Sequence, residues 1–169
     1  SDLYHDFFEE FPTPRALGEA SVEDVEEAIY SLGLRWRAKY LRQLGEQLDD
    51  RNADVPDSRD EIEDLPGIGP YVAGAFLTFH RDRRVPFVDA NIVRLLGRYF
   101  GFEWDGETRR KKWFLDLVEQ FFNHSYEPEA FGYAVLDFTR EVCSRSADHE
   151  ACPAVIRQRC ECFARQGDG

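Results

Sequence analysis

The segment Leu65-Pro66-Gly67-Ile68-Gly69-Pro70 constrains this chain most, because two glycines and two prolines within six residues break any helix and force a tight reversal. Ahead of it, Ser58-Arg59-Asp60-Glu61 has the Ser-x-x-Glu spacing of a capping box and predicts a short helix ending near Asp64. Behind it, Pro70 suits the first turn of a second helix reaching about Phe79, in which Gly74 leaves little bulk against a neighbour. Gly67 and Gly69 are expected at positive φ, where backbone N–H groups converge without an obstructing Cβ. Those amides, together with a helix N-terminus, attract an anion. The expected unit is helix, glycine hairpin, helix over residues 58–80.

Helical periodicity continues through most of the sequence. Asp2 to Glu10, with Leu3, Phe7, Phe8 and Phe11, suggests one buried face before Pro12 and Pro14 interrupt it, and Ser21 caps a helix from Val22 to Ser31. Arg35 to Asp50 carries Trp36, Tyr40, Leu41, Leu44 and Leu48 at helical spacing. Further helices are expected from Asn91 to Phe100, from about Glu107 to Phe122 and from Pro128 to Cys143. No segment alternates long enough to argue a strand, so the predicted fold class is all-α. The 169 residues, 43% of them hydrophobic, suffice for one substantial core. The reading divides them into a helical domain over 1–122 and a C-terminal helix with a cysteine-rich tail over 123–169. No apolar run reaches membrane-spanning length. The sequence has no methionine, so Ser1 is not expected to be the natural start.

Charge is unevenly spread. The chain carries 33 acidic and 21 basic residues, a net charge of −12, which argues against a phosphate-rich partner. Residues 1–64 hold 18 acidic and 7 basic groups, whereas residues 81–112 hold 5 and 9. Arg81, Arg83, Arg84, Arg94, Arg98 and the run Arg109-Arg110-Lys111-Lys112 therefore form a local positive region, read either as phosphate contacts or as solvated loops. With 18 Arg against 3 Lys, the surface composition suits a salt-rich cytoplasm, where counterion release contributes little to binding. Within this region Val85-Pro86-Phe87-Val88 reads as an extended apolar feed into Asp89. An aspartate just before a helix is most often an N-cap. Asn91 is expected to take the cap instead, freeing Asp89 to stabilise positive charge developing on a sugar.

Leu65-Pro66-Gly67-Ile68-Gly69 with Tyr71, then Val88-Asp89-Ala90-Asn91-Ile92-Val93-Arg94, resembles the helix-hairpin-helix (HhH-GPD) DNA glycosylase superfamily that includes endonuclease III and MutY. Arg98-Tyr99-Phe100-Gly101 and Leu136-Asp137-Phe138 before Cys143 fit as well, and the likeness is strongest to archaeal mismatch-specific thymine or uracil glycosylases. The resemblance implies double-stranded DNA containing a mismatched or damaged base as partner, gripped by Leu65, Gly67, Ile68, Gly69 and Arg94. It implies extrusion of one nucleotide and hydrolysis of its N-glycosidic bond, with Asp89 and Tyr71 as catalytic residues. Bifunctional relatives carry a lysine at the position of Tyr71, and no lysine lies between Lys39 and Lys111, so the expected enzyme leaves an abasic site without lyase activity. Tyr71 is read either as packing on its helix or as lining the base pocket. The expected substrate is thymine or uracil opposite guanine. Adenine opposite guanine or 8-oxoguanine is the alternative, and a non-catalytic DNA-binding module is the other. A cytoplasmic, nucleoid-associated monomer follows from the same likeness.

Two departures from the family pattern accompany the match. Cys143, Cys152, Cys160 and Cys162 occupy the last 27 residues of a chain otherwise free of cysteine. The family implies a 4Fe–4S cluster on these four thiolates. Its members space their ligands by six, two and five residues, however, where this chain has eight, seven and one. A rearranged site including His149, a zinc site and a metal-free tail therefore remain open. Family members also have a further helix or two before the segment beginning at Leu3, so the expected fold lacks these N-terminal helices.

Overall fold

The computed structural model describes residues 2–165, which form two compact units, one ending at Gly69 and the other beginning at Pro70. The expected boundary after residue 122 falls inside the second unit. All regular structure among the described residues is helical, as predicted.

The first unit contains α1 (Asp2–Glu10), α2 (Pro14–Glu19), α3 (Val22–Ala28), α4 (Ala38–Asp50) and α5 (Arg59–Glu63), with 3-10 turns at Tyr30–Leu32 and Arg35–Arg37. Its core is Phe11, Val25, Ile29 and Ala38. Helix α2 was not foreseen, because Pro12 and Pro14 read as breakers. Pro14 instead opens the helix, where its missing N–H has no cost, and the Thr13 hydroxyl accepts the Ala16 N–H at 3.1 Å. α2 lies backbone to backbone on α4. A Cβ on Gly45 would stand 2.7 Å from both the Gly18 nitrogen and the Pro14 oxygen. Ser21 caps α3 as expected, its hydroxyl accepting the Asp24 N–H at 3.1 Å. Ser58 sits at the N-cap of α5 without a side-chain cap bond, so the expected capping box is not formed. An Arg59–Glu63 pair at 2.6 Å braces that short helix.

The unit ends in the predicted hairpin turn, with one correction. Ile68 N–H donates to the Leu65 carbonyl at 3.1 Å, Pro66 takes the second position and Gly67 the third at φ +73°, the arrangement of a type II turn. That turn needs positive φ once only. Gly69 is not in the left-handed region, and a Cβ there would meet open space, whereas one on Gly67 would stand 2.8 Å from the Tyr40 Cβ.

The second unit comprises α6 (Pro70–Arg81), α7 (Ala90–Phe100), α8 (Lys112–Asn123), α9 (Pro128–Asp137), α10 (Ala154–Arg157) and α11 (Glu161–Ala164). Phe87, Ile92, Leu96, Phe114, Val118 and Phe122 anchor its core. Two predicted helices are shortened. The turn at Thr108–Arg110 is 3-10 and α8 starts only at Lys112, because Asp105 folds that stretch around itself: its carboxylate accepts from the Glu107 N–H, the Thr108 hydroxyl and Lys111 Nζ at 2.9–3.0 Å. After Asp137 the helix widens into a π-turn, Phe138–Val142, instead of running to Cys143 as an α-helix.

The extended feed predicted before Asp89 is present and has a structural cause. Thr78, fully buried on α6, donates its hydroxyl to the Val85 carbonyl at 2.7 Å, with the Arg83 carbonyl at 3.2 Å. Phe87 has no exposed surface and meets Phe79 and Phe122 at ring-centroid distances of 5.3 and 5.0 Å. Gly74 admits the Pro86 carbonyl against the helix backbone, where any Cβ would collide with it. Gly74→Ala is therefore expected to destabilise the protein by about 1–3 kcal/mol, the range for overpacking, read as a lower urea midpoint at unchanged slope. The Lys111 and Thr108 bonds hold the Asp105 carboxyl at about 2, below its ordinary 3.8. A depressed carboxyl stabilises fully above its unfolded value, and that contribution disappears as pH falls toward 2. Asp105→Asn should flatten the fall of Tm between pH 4 and 2 seen in the unaltered protein.

Candidate active site

Tyr71 at the start of α6, Asp89 and Arg94 on α7, and residues of α9 and the π-turn line one open cleft of about 830 Å³. Tyr133, Asp137 and Arg140 form its facing wall. Of the residues selected from sequence, Tyr71, Asp89 and Arg94 are thus brought together. Leu65, Gly67, Ile68 and Gly69 make the turn that closes the first unit. Leu65 is buried and contributes packing plus the turn's acceptor carbonyl. The N–H groups of Gly67 and Gly69 have no acceptor among the described residues and stay available to an anion.

Asp89 is the N-cap of α7, correcting the expectation that Asn91 would cap the helix and leave Asp89 unoccupied. Its Oδ1 accepts the Asn91 and Ile92 N–H groups, both at 2.8 Å. Its Oδ2 accepts the Asn91 side-chain amide at 2.7 Å. Capping and chemistry are compatible, since a carboxylate has about four acceptor positions and these three bonds fix the plane of the group. Asn91 has a different duty: it joins the carboxylate to Arg94, whose Nη1 donates to Asn91 Oδ1 at 2.9 Å.

Arg94, expected as a DNA contact, lines the cleft and is also bonded within the protein. Its Nε donates to the Cys143 carbonyl at 3.0 Å and its Nη2 to the Thr139 carbonyl at 2.8 Å, so each of its three nitrogens is engaged inside the protein. The physical reason is the π-turn, whose widened end leaves carbonyls without helical donors. Other arginines of the positive region behave alike. Arg84 donates to the Ser125 carbonyl at 2.7 Å, holding the α8–α9 turn, while Arg110, Lys111 and Lys112 pair with Glu107, Asp105 and Asp116. The solvated-loop alternative describes that run better than phosphate binding does. Trp113 packs edge-on against Phe102 at 5.0 Å, and Trp104 lies across Gly97.

Tyr71 packs against the core and also faces the cleft. Its ring meets Phe87 edge to face at 5.8 Å, and the residue also lines the cleft with Asp89. Burial, reinforced by the negative charge of Asp89, pushes the phenol above its ordinary value, so it remains a neutral O–H donor at physiological pH. Sequence reasoning missed Thr78, which shapes the feed, and the facing wall of α9, whose Tyr133 stacks on Phe79 at 4.4 Å. The Phe79/Tyr133 pair carried no local signal, because its members lie on different helices.

The cysteine expectation is overturned. All four thiols are free and line a small cavity of about 30 Å³, yet among the described residues no three Cys, His, Asp or Glu side chains are arranged to hold a metal ion. The 4Fe–4S cluster expected on Cys143, Cys152, Cys160 and Cys162 does not fit this geometry. Cys143 Sγ lies 3.6 Å from Arg98 Nη1, and Cys160 Sγ reaches the Arg98 carbonyl at the same distance, so both sulfurs face a cation-bearing residue.

Because Asp89 both caps and lines the cleft, its two contributions are separable. Asp89→Ala should cost about 1 kcal/mol of stability through the lost cap, whereas Asp89→Asn, which keeps an acceptor oxygen, should stay within about 0.5 kcal/mol of the unaltered protein in chemical denaturation.

Comparison with known proteins places this geometry. Residues 1–120 match the HhH-GPD superfamily base excision DNA repair protein family. A thymine/uracil-DNA glycosylase of Pyrobaculum aerophilum is 33% identical over 161 residues, covering 90% of this chain and 68% of the relative. The chain spans about two thirds of the length of the curated thymine and uracil relatives it matches. Among solved structures, a thermostable thymine-DNA glycosylase superposes with a TM-score of 0.85 at 26% identity, over 97% of this chain and 76% of that one. A trapped endonuclease III–DNA covalent intermediate superposes at 0.78 and 24%, over 98% and 76%. The latter corrects the expectation of a strictly lyase-free enzyme. The same fold accommodates a covalent enzyme–DNA intermediate, and tyrosine at position 71 removes one amine nucleophile without removing the reaction class from the fold. Among the described residues no helix is long and apolar enough to cross a membrane. With a glycine turn, a capped aspartate at the cleft and a family match over residues 1–120, this chain belongs to the HhH-GPD superfamily of base excision DNA repair proteins.

Proposed function

We propose that this protein is a DNA N-glycosylase that removes a mismatched or damaged pyrimidine, thymine or uracil opposite guanine, from duplex DNA. The observation that carries the reading is the pairing of Asp89 and Tyr71 in one cleft. Its 830 Å³ falls within the range of small-molecule sites. A glycosidic bond inside stacked duplex cannot be reached, so the nucleotide must be everted, and a mispaired base costs least to extract.

Cleaving the bond develops positive charge at C1′ and negative charge on the departing base. The Asp89 carboxylate, held by three hydrogen bonds, stabilises the first and orients the attacking water. The Tyr71 phenol, kept protonated, donates toward a carbonyl oxygen of the base. Gly67, Ile68 and Gly69 grip the phosphate backbone, with Leu65 holding the turn, and Arg94 positions Asp89 through Asn91. In this reading residues 1–122 supply the turn, Tyr71 and Asp89, and residues 123–169 supply the facing wall of the cleft. An enzyme acting on genomic duplex works at the nucleoid in the cytoplasm.

Duplexes carrying G·T and G·U pairs, incubated with the protein and then treated with alkali, should yield strand breaks at the mispaired pyrimidine. Omitting the alkali reads any strand cutting by the protein itself. Asp89→Asn should slow base release by at least about a hundredfold while leaving mobility-shift binding of the same duplexes intact. Base release by that variant at the unaltered rate would refute the assignment.

A further inference from the structure

We infer that Arg98 fastens the cysteine-bearing segment to α7 through hydrogen bonds and thereby acts as a positioning residue for Asp89. This inference rests on the glycosylase reading above. Arg98 Nη1 donates to the Ser144 carbonyl at 2.5 Å and Nη2 to the Arg145 carbonyl at 2.9 Å, a two-pronged grip on adjacent peptide units. Its own carbonyl receives the Cys160 thiol at 3.6 Å. The beginning of the segment, at 144–145, and a point far along it, at 160, are thus tied to one residue of α7. Arg165 adds a bond from Nη2 to the Gly101 carbonyl at 3.0 Å, just past the end of that helix.

One turn earlier on the same face, Arg94 holds the Thr139 and Cys143 carbonyls. Cys143 therefore lies between two guanidinium groups, its carbonyl on Arg94 and its neighbour's carbonyl on Arg98. From Arg94 the contacts pass to Asn91 Oδ1 at 2.9 Å and from Asn91 Nδ2 to Asp89 Oδ2 at 2.7 Å. If Ser144 and Arg145 were released, the Cys143 carbonyl would no longer be fixed for Arg94, and the amide that orients the carboxylate would lose its own anchor. A lysine at position 98 keeps the charge but cannot present the planar fork that meets two carbonyls. The four thiols line a cavity with room for one water and contribute neighbours to this arrangement, not ligands.

The test uses the whole chain in three arms. Melting with and without a strong chelator should give the same Tm, and a variant with Cys143, Cys152, Cys160 and Cys162 all changed to serine should melt within about 2 °C of the unaltered protein. Arg98→Lys and Arg98→Ala, assayed on a G·U duplex at a temperature where circular dichroism shows them folded, should lose roughly ten- to a hundredfold in kcat with KM unchanged. A purely structural role would lower Tm and leave kcat of the folded fraction alone. If the alanine variant does not fold, the lysine variant carries the measurement. A chelator-induced fall or a serine-variant fall beyond about 2 °C overturns the inference, as does an unaltered kcat in Arg98→Lys. Should the unaltered protein release no base from any duplex, the glycosylase reading fails, and an unchanged Tm of Arg98→Lys and Arg98→Ala would then overturn the fastening.

Discussion

The passage of the Pro86 carbonyl across Gly74 sets the geometry on which the cleft depends. A side chain at residue 74 would push the 85–88 segment away from α6, and with it Phe87, which has no exposed surface and meets three aromatic rings. Phe87 in turn ties the position of Tyr71 to that of Asp89, since the tyrosine ring lies edge-on against it and the aspartate follows two residues later. Full burial of one such ring is worth about 1.5–3 kcal/mol, so the register of the segment is held by packing before any polar group contributes. Thr78 then fixes the backbone from the other side through the Val85 carbonyl. The meeting of Tyr71 and Asp89 in one cleft is in this sense a consequence of a missing methyl group on one helix.

What was legible in the sequence were features that announce themselves locally. The Pro-Gly turn, the Ser21 cap, the helical spacing of α4 and α7 and the extended feed into Asp89 each depend on residues within a few positions of one another. Two local readings failed for a shared reason. Pro14 reads as a breaker in sequence because proline both ends and begins helices, and only the Thr13 cap bond decides which. Asn91 was assigned the cap because Asp and Asn are equally good at it, and the choice between them lies in where the helix is allowed to start. Tyr133, Asp137 and Arg140 are not foreseen at the cleft because a wall supplied by α9 and the π-turn depends on helix packing, which has no signature in residue spacing.

Arginine serves a further purpose that residue spacing does not reveal. A cluster of basic residues near an anion-binding turn suggests phosphate, but Arg84, Arg94 and Arg98 spend their donors on backbone carbonyls of a turn, a π-turn and a loop. Those segments end or interrupt helices, so their carbonyls would otherwise lie without donors in half-buried surroundings, and a fork-shaped cation satisfies two at a time. This chain therefore uses arginine as scaffold as well as surface. The chain's negative charge is consistent with that use, and under the proposed function the unbonded amides of the glycine turn, rather than a cationic field, meet the phosphate backbone.

Under the proposed function, the double duty of Asp89 has a mechanistic consequence. A carboxylate that only capped a helix could turn about its Cα–Cβ bond, and one that only served chemistry would need some other group to hold it. Here two backbone N–H groups and the Asn91 amide fix both oxygens before substrate arrives, so the orientation cost is met during folding. The same bonds direct partial positive charge from the start of α7 toward the carboxylate, which favours the anion. Reactivity and local stability are consequently tied at one residue. A substitution that keeps the acceptor but removes the charge separates them, because the cap responds to hydrogen bonding and the developing cation responds to charge.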